Sequence, residues 1–396
     1  MNHRSTITLS RKAFSHNISV INALTGYSSC AIVVKSNAYG HGMIEMARMA
    51  ESEQGVSWIC TAGIEEALTL RAQGISKPLL VLSYLDGDIQ QAIKKSIQVS
   101  VCSFEEAIAV SMQAVLCGQQ ALLHIKIDTG MGRLGLMPDK AVALIKRMSE
   151  LPFITIVGIF THFSDTGHSD TSYCQKQLEV FDQLLDDLAA ANIVIPFTHV
   201  QSSSSLNLAP RTRYSFLRVG ASMYGLWKTP IQKAEIQKRD PAFDLIPVLQ
   251  WRSTITAIKS LPLGSPVGYG RTFITTRPTK IALIPVGYWD GYSHLLSNKG
   301  VALLHGYTVP VAGVVSMNIA AFDITDVPDA QVGDELILIG NAPSILPHEI
   351  ARRAGIITNV LMTSLNSLVP RTVVAEHVPL LSLSELDQRL TQELTR

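Results

Sequence analysis

An excess of either charge sign, long apolar runs and paired cysteines are all missing from this sequence of 396 residues. Its 33 Lys and Arg against 32 Asp and Glu leave a formal net charge of +1, with no basic block. Nucleic acid and an anionic membrane surface are therefore not expected partners. No apolar run reaches the roughly 18 residues of a membrane span. The opening Met-Asn-His-Arg-Ser-Thr-Ile-Thr-Leu-Ser carries no apolar stretch of leader length. Cys30, Cys60, Cys102, Cys117 and Cys174 are odd in number, scattered and free of any Cys-x-x-Cys pair. That argues against a disulfide framework and a metal site, and points to a reducing cytoplasm. The 47% hydrophobic content suffices for a full-sized core, as two domains or one large barrel with an appendage.

The first 220 or so residues alternate short β-branched runs with helical patterns. Strands are expected at Ala31–Val34, Ser57–Thr61, Leu79–Ser83, Gln98–Cys102, Leu122–Asp128, Thr155–Phe160, Phe197–Gln201 and Phe216–Val219. Ile64–Gln73, Phe104–Leu116 and Lys140–Met148 have helical spacing. Eight such alternations predict an α/β chain with a (β/α)8 TIM-type barrel. From Pro241 the texture changes. Trp251–Ile258, Lys280–Val286, Tyr307–Val315, Ile319–Ile324 and Glu335–Ile339 read as strands joined by turn residues. The expected division is a barrel over 1–240 and a mostly β domain over 241–396, with Lys228–Arg239 leading to the junction.

The most informative stretch is Val33-Val-Lys-Ser-Asn-Ala-Tyr-Gly-His-Gly42. Lys35 closes a buried strand, where partial desolvation lowers an amine toward its nucleophilic free base. A strand-end lysine alone could equally reach into water. Other polar groups fall at the C-terminal ends of expected strands, where barrels place their chemistry: the Lys126–Arg133 segment, His162, Ser202–Ser205, and Arg218 with Gly220. His162 in Thr-His-Phe would suit a core histidine, and the serine run a solvated loop. Arg218, between Leu217 and Val219, must find a partner.

Together these motifs resemble the alanine racemase family, and its motifs run in order from the first barrel strand to Val369-Pro-Arg371. The resemblance implies pyridoxal phosphate (PLP) as cofactor and Lys35 as its attachment point. Tyr39, Ser203 and the backbone at Gly220 and Ala221 would hold the phosphate. His162 would lie against the ring, and Arg218 would face its nitrogen. Lys126-Ile-Asp-Thr-Gly-Met-Gly-Arg133 implies that Arg133 meets the phenolic oxygen and the substrate carboxylate. Lys126 matches a position that is carbamylated in many members. In Val267-Gly-Tyr-Gly-Arg-Thr-Phe273, Tyr269 matches the second catalytic base. Inverting a stereocentre needs one base on each face, and Lys35 would serve the other. Tyr288 and Met317 match further site positions, the Met317 N–H meeting the substrate carboxylate. In the family these β-domain groups come from a partner subunit, so a homodimer with shared sites is implied. A small-molecule amino acid is the expected substrate, converted between L- and D-alanine for cell-wall synthesis.

Several positions depart from the family pattern. An asparagine is lost at Ser202, and a phosphate-touching gate tyrosine becomes Asn359. Charged corridor positions become Gly167, His294 and Val314, and an aspartate becomes Asn318. None removes a catalytic group. They leave open a racemase for serine or a basic amino acid. A PLP decarboxylase of this architecture would carry a catalytic cysteine in the second half, and none follows Cys174. A non-catalytic PLP-binding barrel would lack the second domain and its tyrosine.

Overall fold

The computed structural model describes residues 4–166, 170–208 and 213–377. Eight parallel strands carry the first half: β2 (Cys30–Val33), β3 (Val56–Thr61), β4 (Leu79–Val81), β5 (Ile97–Val101), β6 (Ala121–Lys126), β7 (Ile154–Phe160), β8 (Phe197–His199) and β9 (Arg218–Val219). They pair in sequence order, with β9 returning beside β2. The β8–β9 seam closes through a bridge between Ser202 and Arg218, whose N–H donates to the Gln201 carbonyl at 3.1 Å. This is the expected (β/α)8 barrel, each strand starting and ending within two residues or so of the expected bounds.

Side chains of a strand alternate between faces, so each barrel strand sends every second residue inward. Ala31, Val33, Trp58, Cys60, Leu80 and Phe216 form an apolar cluster of their own inside the ring. Their neighbours Cys30, Ile32, Val56, Ile59 and Leu79 belong to the larger core between strands and helices. The same alternation carries Gln98, His124 and His199 inward, then Lys126 and His162 toward the C-terminal mouth.

The second half holds a six-stranded sheet, a three-stranded sheet and a short two-stranded ribbon. Its strands are β10 (Leu249–Thr254), β11 (Ala257–Leu261), β12 (Pro266–Val267), β13 (Phe273–Ile274), β14 (Thr279–Ile284), β15 (Val301–Leu304), β16 (Tyr307–Pro310), β17 (Ala320–Asp323), β18 (Glu335–Ile339) and β19 (Arg371–Val374). The single strand expected over Trp251–Ile258 is two. The Ile255 N–H donates to Asp334 and the Thr256 N–H to Leu283, so the chain steps from one sheet to another there. The barrel also does not begin at residue 1. The first strand, β1 (Ser5–Ser10), pairs antiparallel with β10 and parallel with β19, inside the β domain. Ile7 and Leu9 are fully buried there. Such a long-range pairing leaves no local pattern in the sequence.

The two halves meet tightly beside Lys35. A Cβ at Gly40 would lie 1.8 Å from the Met362 carbonyl oxygen in helix Thr358–Thr363. Arg371 of β19 donates from Nε and Nη2 to the Gly40 carbonyl at 3.1 and 2.8 Å.

Candidate active site

Lys35 leads into a left-handed turn. Ser36, Asn37, Ala38 and Tyr39 have φ between 52° and 55°, followed by Gly40 at 81°. For residues with a Cβ this conformation costs about 1–2 kcal/mol each, so the surroundings must hold it. The Glu66 carboxylate accepts from the Ser36 and Ala62 N–H groups at 2.8 Å each, tying two strand ends together. Asn37 Oδ1 accepts from the Met43 N–H at 2.9 Å. His41 Nδ1 lies 3.1 Å from both the Ala38 and Tyr39 carbonyls, so it donates. Burial pushes His41 down to about 3, and it serves the turn rather than the chemistry. The turn brings both Lys35 and Tyr39 to the wall of one cavity of about 560 Å³. Burial, then the Arg133 charge, lowers the Lys35 pKa, with Glu66 opposing. That direction favours a nucleophilic amine.

Arg218 lines the same cavity and is almost fully buried. Its partners are neutral. Nη1 donates to His199 Nδ1 at 2.6 Å and to the His199 carbonyl at 2.9 Å. Nη2 donates to the Thr161 and Val200 carbonyls at 2.8 and 3.0 Å, and lies 3.5 Å from His162 Nδ1. No carboxylate pairs with it among the described residues. Its pKa, lowered by burial to about 10, still leaves it charged at neutral pH. Burial, then Arg218, holds His162 down at about 3, so that imidazole is neutral.

On the same cavity wall, Ser203 Oγ accepts from the Gly220 and Ser222 N–H groups at 2.8 and 3.2 Å. Gly220 and Ala221, whose backbone was expected to hold a phosphate, both line the cavity, and so does Ser222. A Cβ at Gly220 would come within 2.7 Å of the Tyr39 hydroxyl, so only glycine leaves that hydroxyl its place. Gln232 steadies the cradle by donating to the Ser203 carbonyl at 2.8 Å. Lys228, which sequence reasoning missed, also lines the cavity and donates to Thr166 Oγ1 at 2.6 Å.

The Arg133 loop is shaped by Asp128. Its carboxylate accepts from the N–H groups of Gly130, Met131, Gly132 and Arg133 at 2.8–3.1 Å. These bonds outweigh the desolvation cost and lower its pKa. Lys126 Nζ donates to the Leu82 carbonyl at 3.4 Å and lies 5.6 Å from the Phe160 ring centroid. Burial is the largest cause lowering the Lys126 pKa; Cys102 opposes it, and Arg133, Arg218 and Lys35 reinforce it. Among the described residues, the cavity wall thus carries Lys35, Lys126, Arg133, Arg218 and Lys228 and no Asp or Glu. Such a donor set fits a multiply anionic ligand with a phosphate and a carboxylate, as PLP with an amino acid would be.

Three expected residues lie elsewhere. Tyr269, Tyr288 and Met317 are not on this cavity wall, and Tyr269 is 75% exposed. Asn359 does line it. Gly167 falls outside the described residues. His124 and His199 also escaped sequence reasoning. Counting back two residues from Lys126 along its strand would have found His124 on the same inner face.

A parallel barrel with a lysine at a strand end, polar groups converging on one cavity at the C-terminal mouth and a mostly β domain after it defines the architecture of a barrel enzyme. The family model for the N-terminal domain of alanine racemase matches residues 9–228, and that for its C-terminal domain matches 248–373. The chain belongs to the alanine racemase family and is an isomerase. It is 34% identical over 373 residues to an alanine racemase of Desulfosudis oleivorans, covering 91% of this chain and 94% of that one. A Methanococcus maripaludis alanine racemase is 35% identical over 364 residues, covering 91% and 95%. The solved alanine racemase of Clostridium difficile 630 superposes with a TM-score of 0.88 at 29% identity, covering 96% and 98%.

Proposed function

We propose that this protein interconverts L- and D-alanine with PLP as cofactor, in a cytoplasmic role supplying D-alanine for the cell wall. The observation that carries this reading is the cavity itself: a depressed lysine amine, an uncompensated Arg218 and a hydroxyl-and-amide cradle on one acid-free wall. When bound, PLP supplies an aldehyde for the Lys35 amine and an electron sink that acidifies the substrate α-hydrogen. Tyr39, Ser203 and the backbone of Gly220 and Ala221 would hold its phosphate, and His162 would lie against its ring. Arg218 only donates, so it would face the ring nitrogen without protonating it, which would limit delocalisation into the ring and disfavour transamination. Arg133 and the Met317 N–H orient the substrate carboxylate. Lys35 Nζ moves the α-proton on one face and the Tyr269 hydroxyl on the other.

Tyr269 and Met317 are exposed and off the cavity wall of their own chain. A homodimer follows as part of the proposal, with the partner subunit's Tyr269 completing each site. The chain is read as a barrel from residue 11 to 240 and a β domain from 241 onward, joined by β1. Lys126, buried and ringed by cations, suits conversion to an anionic carbamate that would hold Arg133.

A second reading rests on Asn359, which lines the cavity where the family carries a bulky gate tyrosine. A wider rim admits a larger neutral side chain such as serine. A wall without acidic groups disfavours a basic one. The test is borohydride trapping of PLP, with peptide mapping, alongside loss of optical rotation from L-alanine and L-serine. Label at Lys35 and racemisation of alanine are expected; label elsewhere, or no racemisation of either amino acid, overturns the reading.

A further inference from the structure

Behind Arg218 runs a row of side chains that the proposed mechanism does not use. Arg218 Nη1 is 2.6 Å from His199 Nδ1, His199 Nε2 is 3.0 Å from His124 Nδ1, and His124 Nε2 is 2.8 Å from Gln98 Oε1. Both histidines are fully buried. The direction of every bond follows from its first member. Arginine only donates, so His199 Nδ1 must be a bare acceptor and its hydrogen must sit on Nε2. That hydrogen occupies the His124 Nδ1 lone pair, which places the His124 hydrogen on Nε2 as well. The amide oxygen of Gln98, an acceptor, ends the row. Neither ring has a free nitrogen to take a second proton, and burial opposes it too.

The packing leaves the rings no second position. His199 lies between Phe160 and Phe216, with centroids 4.7 and 4.6 Å away and planes within 20°. Trp58 meets His124 edge-on at 5.6 Å. On the far side, a Cβ at Gly158 would fall 2.0 Å from His124 Nδ1, which explains a glycine in the middle of a barrel strand.

We propose that Gln98, His124 and His199 are positioning residues that solvate Arg218 with a one-way row of neutral dipoles, leaving its full positive charge for the ligand in the cavity. A carboxylate partner would hold the guanidinium as firmly but would neutralise it. A row of neutral acceptors fixes its place and keeps its field. Among the described residues, every Nη of Arg218 has a protein acceptor and Nε has none, so one N–H remains for a ligand. The inference rests on the proposed function for what that ligand is, and on geometry alone for the row.

The first test needs no cofactor. In the apoprotein with 15N-labelled histidine, long-range 15N–1H spectra report which nitrogen carries each imidazole hydrogen, and His→Gln variants assign the signals. His124 and His199 should both carry it on Nε2. A hydrogen on Nδ1 of either ring overturns the row. The second test compares Gln98→Glu with Gln98→Met in the full-length protein. A carboxylate there still accepts from His124 Nε2–H and keeps the row's direction, but it replaces the neutral end of the row with a negative charge that offsets Arg218. The Kd for PLP should rise at least about tenfold in Gln98→Glu and under about threefold in Gln98→Met. Equal Kd values in the two variants refute the charge-preserving role of the neutral row, since a packing role alone would not distinguish them. If Gln98→Glu does not fold, the tautomers in the unmodified protein still decide. If the unmodified protein fails to bind PLP, the proposed function fails while the tautomers remain a valid test of the row.

Discussion

The barrel and the β domain treat their polar side chains in opposite ways. In the barrel, Lys35, Lys126, His162 and Arg218 turn inward to one cavity, and the inner polar row is wholly buried. In the β domain, Tyr269, Tyr288, Trp289 and Met317 turn outward, between 45% and 75% exposed. The barrel gathers its polar groups around one cavity, whereas the β domain leaves its own at the surface, off that cavity wall. Under the proposed function, the buried set binds the ligand and the exposed set completes the site of a neighbouring subunit.

The most severe way to break the comparison is to empty the barrel. Lys35→Ala should lower racemisation by about 10⁴-fold or more and abolish borohydride label on the polypeptide. Label persisting at another lysine would mean the attachment site lies elsewhere. Tyr269→Phe should cost about 10²–10⁴-fold while leaving PLP bound. Exchange of the α-hydrogen in D2O should survive from one enantiomer and nearly stop from the other. Mixing the Lys35→Ala and Tyr269→Phe chains should recover activity through dimers with one intact site. No recovery after verified subunit exchange would assign each chain its own tyrosine.

Acid should separate the halves next. Burial holds His41 and His124 down at about 3 and His199 well below its ordinary range, and all three lie in the barrel. Unfolded, each titrates near 6.5, so between the two values the unfolded chain binds more protons. Stability is full above pH ~6.5 and falls below it, by up to about 1.4 kcal/mol per pH unit for each histidine. Hydrogen exchange at pH 5 should then show barrel strands losing protection before the six-stranded sheet. Simultaneous loss in both would refute the localisation.

Gly40→Ala strikes the seam. It forces a Cβ into the Met362 carbonyl at a φ of 81°, and should lower stability by about 2–4 kcal/mol in thermal or urea unfolding. A change under about 0.5 kcal/mol would mean that the seam yields. The smallest effect is expected at the rim. Asn359→Tyr should cut kcat/KM for serine relative to alanine by about 1–3 kcal/mol in discrimination. Activity confined to alanine in the unmodified protein would refute the wider rim and leave the racemase standing.

Much of this was legible in the chain. All eight barrel strands follow from β-branched runs, because strands buried on both faces need continuous apolar sequence. Lys35, Arg133, His162, Ser203 and Arg218 were legible as strand-end residues. The inner row was not: Gln98, His124 and His199 sit within apolar runs and look like lapses in a hydrophobic pattern. Only period-two counting from Lys126 separates them from the outward face. Pairing of β1 with β10 and β19 was equally invisible, since residues 240 or more positions apart share no local signal.

By itself the sequence determined the barrel, the succession of its strand ends and the residue types that reach the mouth, because periodicity and motif order are local properties. Tertiary structure decided the rest. It decided that four residues after Lys35 wind left-handed, since only Glu66, Asn37, His41 and Arg371 converging on that turn can hold it. It also decided that Arg218 has dipoles and no acid for partners, because what surrounds a buried charge is set by strands distant in sequence that meet only when the barrel closes.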